Sequence, residues 1–205
     1  MLRSLVGSEM CIRDRLIIKG ENVTADINGK VIIEGNIVNA AGDEIAPAAI
    51  FQLNGTGEKS IVTVDGDVQV DGLFTITAGK VVFNAAATLG ENGTMTIDGD
   101  VEVSETGSFT IVGTVSATNA ADIYNRGTVV WNSEKAVNNN VIIYQMMDGA
   151  TVDIQNFTVS DVSKKLTVSD EKLKIKETAI ASADSNKVEI TLTKRTEGNP
   201  ASEST

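Results

Sequence analysis

Ile27-Asn28-Gly29-Lys30-Val31-Ile32-Ile33 returns as Val64-Asp65-Gly66-Asp67-Val68-Gln69-Val70, and again as Ile97-Asp98-Gly99-Asp100-Val101-Glu102-Val103. Each copy runs from a β-branched residue through Asn-Gly or Asp-Gly and a charged residue into a short alternating segment. Branching at Cβ favours extended backbone, and the Asx-Gly pair favours a tight corner. The copies begin 37 and then 33 residues apart. The pattern is therefore strand, corner, strand, repeated along the chain. One such unit cannot bury its own inner face, whereas stacked units bury a continuous apolar column. The expected fold is all-β, a parallel β-helix (β-solenoid). An antiparallel β-sandwich or barrel is the alternative, because hairpins use the same Asp-Gly and Asn-Gly pairs. Helical repeats of similar period are excluded, since no sustained i, i+3, i+4, i+7 pattern of apolar residues is present.

The same grammar extends outward. Leu73-Phe74-Thr75-Ile76 matches Ser108-Phe109-Thr110-Ile111, and Asn92-Gly93-Thr94-Met95 matches Asn125-Arg126-Gly127-Thr128-Val129 with one insertion. Gly or Asn is expected to supply a positive φ at each corner. Residues 39–49, which include Pro47, read as a looser connection, because proline cannot donate to a central ladder. Val141-Ile142-Ile143-Tyr144 lacks alternation and reads as buried on both faces. Leu166-Thr167-Val168, Leu173-Lys174-Ile175-Lys176 and residues 188–193 alternate as half-buried strands. The division expected is solenoid repeats over 16–160, terminal strands of the same or a small β module over 161–195, and a polar tail or linker over 196–205.

Composition narrows the function. The 205 residues are 41% hydrophobic but 4% aromatic, so the core is expected to be thin layers of small aliphatic side chains. The net charge of -11 disfavours nucleic acid, whose recognition needs clustered Lys and Arg. No segment approaches the ~20 consecutive apolar residues of a membrane-spanning helix, so no membrane insertion is expected. The chain has no His, which removes the commonest general base and metal ligand.

The segment Val6-Gly7-Ser8-Glu9-Met10-Cys11-Ile12-Arg13-Asp14-Arg15 resembles the conceptual translation of a sequencing linker, familiar at the ends of assembled metagenomic reads. Residues 1–15 are accordingly expected to be non-native, with the protein continuing into further chain at one or both ends. A signal peptide is disfavoured, because Glu9, Arg13, Asp14 and Arg15 interrupt any apolar h-region. Cys11, the single cysteine, falls in this segment, which silences disulfide arguments.

Few residue groups point to chemistry. Asp65, Asp67, Asp98 and Asp100 are the candidate calcium ligands: stacking the second and third copies in register would bring their carboxylates together, and Ca²⁺ takes 6–8 oxygens. The competing reading is plain turn chemistry. Trp131, Tyr124 and Tyr144 are candidates for a sugar-stacking platform, against the alternative of rings capping a column. A polysaccharide lyase or hydrolase site would need carboxylates grouped with Arg or Lys, or two opposed carboxylates. Between residues 31 and 125 the only basic residues are Lys59 and Lys80. No catalytic residue, cofactor or bound metal is expected.

The stretch Asp122-Ile123-Tyr124-Asn125-Arg126-Gly127-Thr128-Val129-Val130-Trp131-Asn132, with residues 99–103 and 107–113, resembles right-handed parallel β-helix passengers of bacterial autotransporter and filamentous-haemagglutinin-like adhesins. The resemblance covers residues 20–160, and the strand before Arg195 resembles segments where such passengers end. It implies export, display on the bacterial outer surface, and host or cell-surface glycans or proteins as partners. A structural or adhesive, non-catalytic role is the first expectation. A polysaccharide-active enzyme on the same scaffold is the second, and a surface-layer or tail-fibre module the third.

Overall fold

The computed structural model describes residues 9–12, 15–21, 24–27, 29–35, 37–38, 44–46, 48–56, 60–159, 166–169 and 190–193. Strand β1 (Glu9–Ile12) precedes a first turn made of β2 (Arg15–Glu21), β3 (Thr24–Ile27) and β4 (Lys30–Ile33). A short pair, β5 (Ile37–Val38) and β6 (Glu44–Ala46), follows. The second turn is β7 (Ile50–Thr56), β8 (Ile61–Val64) and β9 (Val68–Val70), and the third β10 (Leu73–Ala78), β11 (Lys80–Phe83) and β12 (Ala86–Leu89). Then come β13 (Thr94–Ile97), β14 (Asp100–Val103) and β15 (Ser108–Ile111), and after them β16 (Thr114–Ser116), β17 (Ala120–Asn125) and β18 (Thr128–Val137). The chain continues through β19 (Asn140–Gln145), β20 (Thr151–Val159), β21 (Leu166–Ser169) and β22 (Ile190–Thr193).

These strands stack into three parallel sheets. Sheet A runs β3-β8-β11-β14-β17-β19-β21-β22, sheet B β1-β4-β9-β12-β15-β18-β20, and sheet C β2-β7-β10-β13-β16. The fold is a parallel β-solenoid of about six turns, with no helix among the described residues. Among the described residues only β5 and β6 pair antiparallel, which sets the sandwich or barrel alternative aside. The eight strands of sheet A, at ~4.8 Å each, make a column about 34 Å long.

The turn is shorter than the sequence repeat. Ile61 pairs with Lys80, 19 residues on; Lys80 with Asp100, 20 on; Asp100 with Asp122, 22 on. The 37-residue step from Thr24 to Ile61 is one turn enlarged by the insertion that carries β5 and β6. The first two copies of the quoted phrase do stack, Ile27 on Val64 and Val31 on Val68. The third does not join them. It turns the corner from β13 to β14, whereas the first two turn the corner from sheet A to sheet B.

The corners also work differently from the expectation. Among the described glycines only Gly79 has a positive φ, of 90°. The corner glycines are needed for room instead. A Cβ on Gly66 would lie 2.4 Å from the Gly29 carbonyl oxygen in the turn beneath, and one on Gly99 would lie 2.3 Å from the Gly79 carbonyl oxygen. Backbone hydrogen bonds carry the stack around these corners, as with Asp65 N–H donating to the Ile27 carbonyl at 2.9 Å and Asp98 N–H to the Ile76 carbonyl at 2.9 Å.

The core is a single column running from Ile12 to Val168. It is not only small aliphatics: all five Phe (51, 74, 83, 109 and 157) and Trp131 are buried in it. Neighbouring turns bring Phe51 and Phe74 edge to face at 4.5 Å, Phe83 to 5.5 Å from Phe109, and Trp131 to 5.1 Å from Phe157. Val141 and Ile143 face inward, but Ile142 and Tyr144 face out, so that segment alternates after all. Two buried polar residues, Asn125 and Gln145, stack in register inside the column. Asn125 Nδ2 donates to Gln145 Oε1 at 2.6 Å and to the Thr151 carbonyl at 2.9 Å, and Asn125 Oδ1 accepts from Gly127 N–H at 3.1 Å. This is a buried amide ladder.

Residues 10–12 of the linker-like segment pair with residues 31–33. The pairing records position, not origin, because an extended apolar segment adds to any open sheet edge. Residues 173–176 and 196–205 lie outside the described residues.

Candidate functional site

The outward face of sheet A carries a cluster of charged and aromatic side chains. Parallel in-register stacking turns residues about 20 apart into columns. One column reads Ile61, Lys80, Asp100, Asp122, Ile142. Its neighbour reads Thr63, Val82, Glu102, Tyr124, Tyr144. Arg126 follows β17 at the corner.

Glu102 is the hub. Its Oε2 lies 2.8 Å from Lys80 Nζ and its Oε1 accepts from Arg126 Nε at 3.1 Å. Burial pushes this carboxyl's pKa up, but the hydrogen bonds and charges of Lys80 and Arg126 outweigh burial and leave it below its ordinary value. The Lys80 ammonium also lies 5.2 Å from the centre of the Tyr124 ring, a cation–π contact. Tyr124 in turn stacks on Tyr144, with centroids 4.9 Å apart and planes at 13°.

Asp100 and Asp122 have the opposite situation. They are paired residues on adjacent strands, one strand spacing apart. Burial raises the Asp100 pKa; Lys80 lowers it, and Glu102 raises it again. Burial, followed by repulsion from Asp100, pushes Asp122 up to about 6. Asp122 Oδ1 is buried with no hydrogen-bond partner. Tyr144 is raised as well, by burial and then by the charges of Asp122 and Asp100.

The four candidate calcium ligands do not assemble. Asp65 and Asp67 lie at the corner between β8 and β9, while Asp98 lies at the corner between β13 and β14 and Asp100 begins β14. The true neighbour of Asp65 is Asn84, whose Nδ2 donates to it at 2.6 Å. Asp67 Oδ1 accepts from Ala86 N–H at 3.2 Å, and Asp98 Oδ1 from Thr118 N–H at 2.5 Å. Among the described residues, no group of three or more acidic, His or Cys side chains is placed to hold a metal.

The three-ring platform does not form either. Trp131 is fully buried against Phe157. The Tyr124 and Tyr144 rings stack on each other, with the Lys80 ammonium over Tyr124, so the Tyr124 ring is taken up within the ladder rather than spread flat for a sugar.

No family model, curated protein or solved structure matches the chain.

The sequence reading missed Glu102, Asp122 and Arg126 as a group. The signal was present, since Lys80, Asp100 and Asp122 follow one another at close to one turn. Aligning the chain at the spacing of its most visible phrase concealed it. Chemically, the cluster offers a paired carboxylate bound by two cations and one carboxyl that titrates near neutral pH. Among the described residues, no helix is long and apolar enough to cross a membrane.

Proposed function

We propose that the chain is a structural and adhesive segment of a secreted bacterial cell-surface β-solenoid protein, acting without catalysis. The observation that carries this reading is the unbroken interior column beneath three continuous parallel sheets. Such a column resists bending, because every strand of one turn is hydrogen-bonded to the next. Its function would be geometric: a stiff rod that holds corners and the insertion between β4 and β7 out toward host or cell-surface glycans or proteins. Affinity would be spread over many weak contacts rather than one pocket. The resemblance of residues 122–132 to adhesin passengers supports the same reading.

A polysaccharide-active enzyme is the second reading, and the Lys80, Asp100, Glu102, Asp122, Arg126 cluster favours it. Two features weigh against it. The two cations both pair with Glu102. Asp100 and Asp122 stand side by side on adjacent strands rather than across a cleft from each other, as glycosidic bond cleavage requires. The test is to incubate the protein with a panel of bacterial and host polysaccharides and with whole cells, measuring retention and release of reducing or unsaturated ends together. The adhesive reading expects retention without release. Release that is lost in Asp100→Asn and Asp122→Asn would overturn it in favour of the enzyme.

A further inference from the structure

We propose that Asp122 is a proton-operated brace between β14 and β17: it takes up one proton in mildly acidic water, donates it to the Asp100 carboxylate, and so tightens the rod on acidification.

The geometry leaves Asp122 Oδ1 buried without a donor, and neither of its paired neighbours in the column supplies one. Below it in the column stands Asp100, a second acceptor, and above it stands Ile142, which is apolar. Lys80, one turn below Asp100, directs its ammonium to Glu102 at 2.8 Å. Arg126 directs its Nε to the same carboxylate. The remaining titratable groups on these strands are Tyr124 on β17 and Tyr144 on β19, and their rings stack on each other. Asp122 Oδ1 is thus enclosed without a partner. With both carboxyls ionised, two negative charges stand ~4.8 Å apart along the sheet. A proton on Asp122 removes that repulsion and supplies the missing O–H, and a hydrogen bond from a carboxylic acid to a carboxylate is among the strong ones.

The linkage has a definite sign. The Asp122 carboxyl, at about 6 when folded, lies above its ordinary 3.8. Between those values the folded chain holds more protons than the unfolded one, so stability rises as pH falls from 7 through 6 toward 4. The upward shift of Asp100 acts in the same direction. Glu102, shifted downward, acts in the opposite direction, but only below its ordinary 4.5. Tyr144, shifted above 10, does not titrate in this window.

The experiment is thermal unfolding of the full chain from pH 5 to 8, comparing the parent with Asp122→Asn and Asp26→Asn. Asn is isosteric and carries the donor permanently. Asp26 is exposed on the same sheet, so its replacement controls for loss of one negative charge. Asp122→Asn is expected to raise Tm at pH 7.5 by about 2–4 °C over Asp26→Asn, with the difference shrinking to about half by pH 5. The ¹³C carboxyl shift of Asp122 in the parent is expected to titrate with a midpoint near 6. The inference is overturned if the two variants track each other at every pH, or if the Asp122 midpoint falls in the ordinary aspartate range near 4.

Discussion

At the scale of single residues, closeness between turns decides which side chains matter. Gly66 sits so near the Gly29 carbonyl that Gly66→Ala must push two turns apart. It should cost about 2–4 kcal/mol, a cost of overpacking rather than of an unfavourable φ. Asp65→Ala, one position away, removes only the exposed hydrogen bond from Asn84 and should cost about 1 kcal/mol or less. Urea unfolding of the two variants checks the contrast; equal costs would place the importance of the corner in Asp rather than Gly. In the column, Phe109→Ala deletes a fully buried ring beside Phe83 and should cost about 3–5 kcal/mol. On the surface, Glu102→Gln releases Lys80 and Arg126. These pairs are part-exposed, at 20–39% for the side chains, so solvent screening holds the expected loss to about 1 kcal/mol, and raised salt should shrink it further.

At the scale of elements, the insertion between β4 and β7 shows what the turn needs. Ala49 N–H donates to the Glu34 carbonyl at 2.9 Å, so the chain is already closed across the base of the insertion. Replacing residues 36–47 with a two-residue link should leave the β-sheet circular dichroism intact and move Tm by only a few degrees. Shortening a loop whose ends already meet changes little but its closure entropy. Loss of the cooperative transition would show that the insertion holds the first turns in place. This element also explains what the sequence concealed. Strand, corner and alternation were legible from residues such as Val64 to Val70, because period-2 burial and Asp-Gly corners are local properties. The turn length was not. The first spacing of the phrase contains a whole turn plus the insertion, and the second carries the phrase from one corner of the triangle to another, five corners on. The sheet A cluster depends on that turn length, so Asp100 was legible as a candidate but was grouped with Asp98 and Asp65 rather than with Asp122 and Lys80. Trp131 stayed open between platform and column for a related reason: a lone ring has no periodicity of its own, and its direction follows from Ile111 and Ile154, its paired neighbours in the stack.

At the scale of the whole molecule, one column of apolar side chains and three ladders of hydrogen bonds make every turn dependent on the next. Unfolding should then spread along the column from its less supported turns rather than occur only as one all-or-none event, as nearest-neighbour coupling implies. All of this rests on a turn of about 20 residues, which a cross-link can test directly. In a Cys11→Ser background, Thr75→Cys with Thr96→Cys places two thiols on paired residues of adjacent strands, facing the same side. Their Cα atoms are then ~4.8 Å apart, within disulfide range. Asp65→Cys with Asp98→Cys joins the positions that a 33-residue repeat would stack. Mild oxidation should close the 75–96 pair within the monomer and leave the 65–98 pair reduced. Closure of the 65–98 pair with the 75–96 pair left open would contradict the 20-residue turn, and with it the placement of every residue in the sheet A cluster.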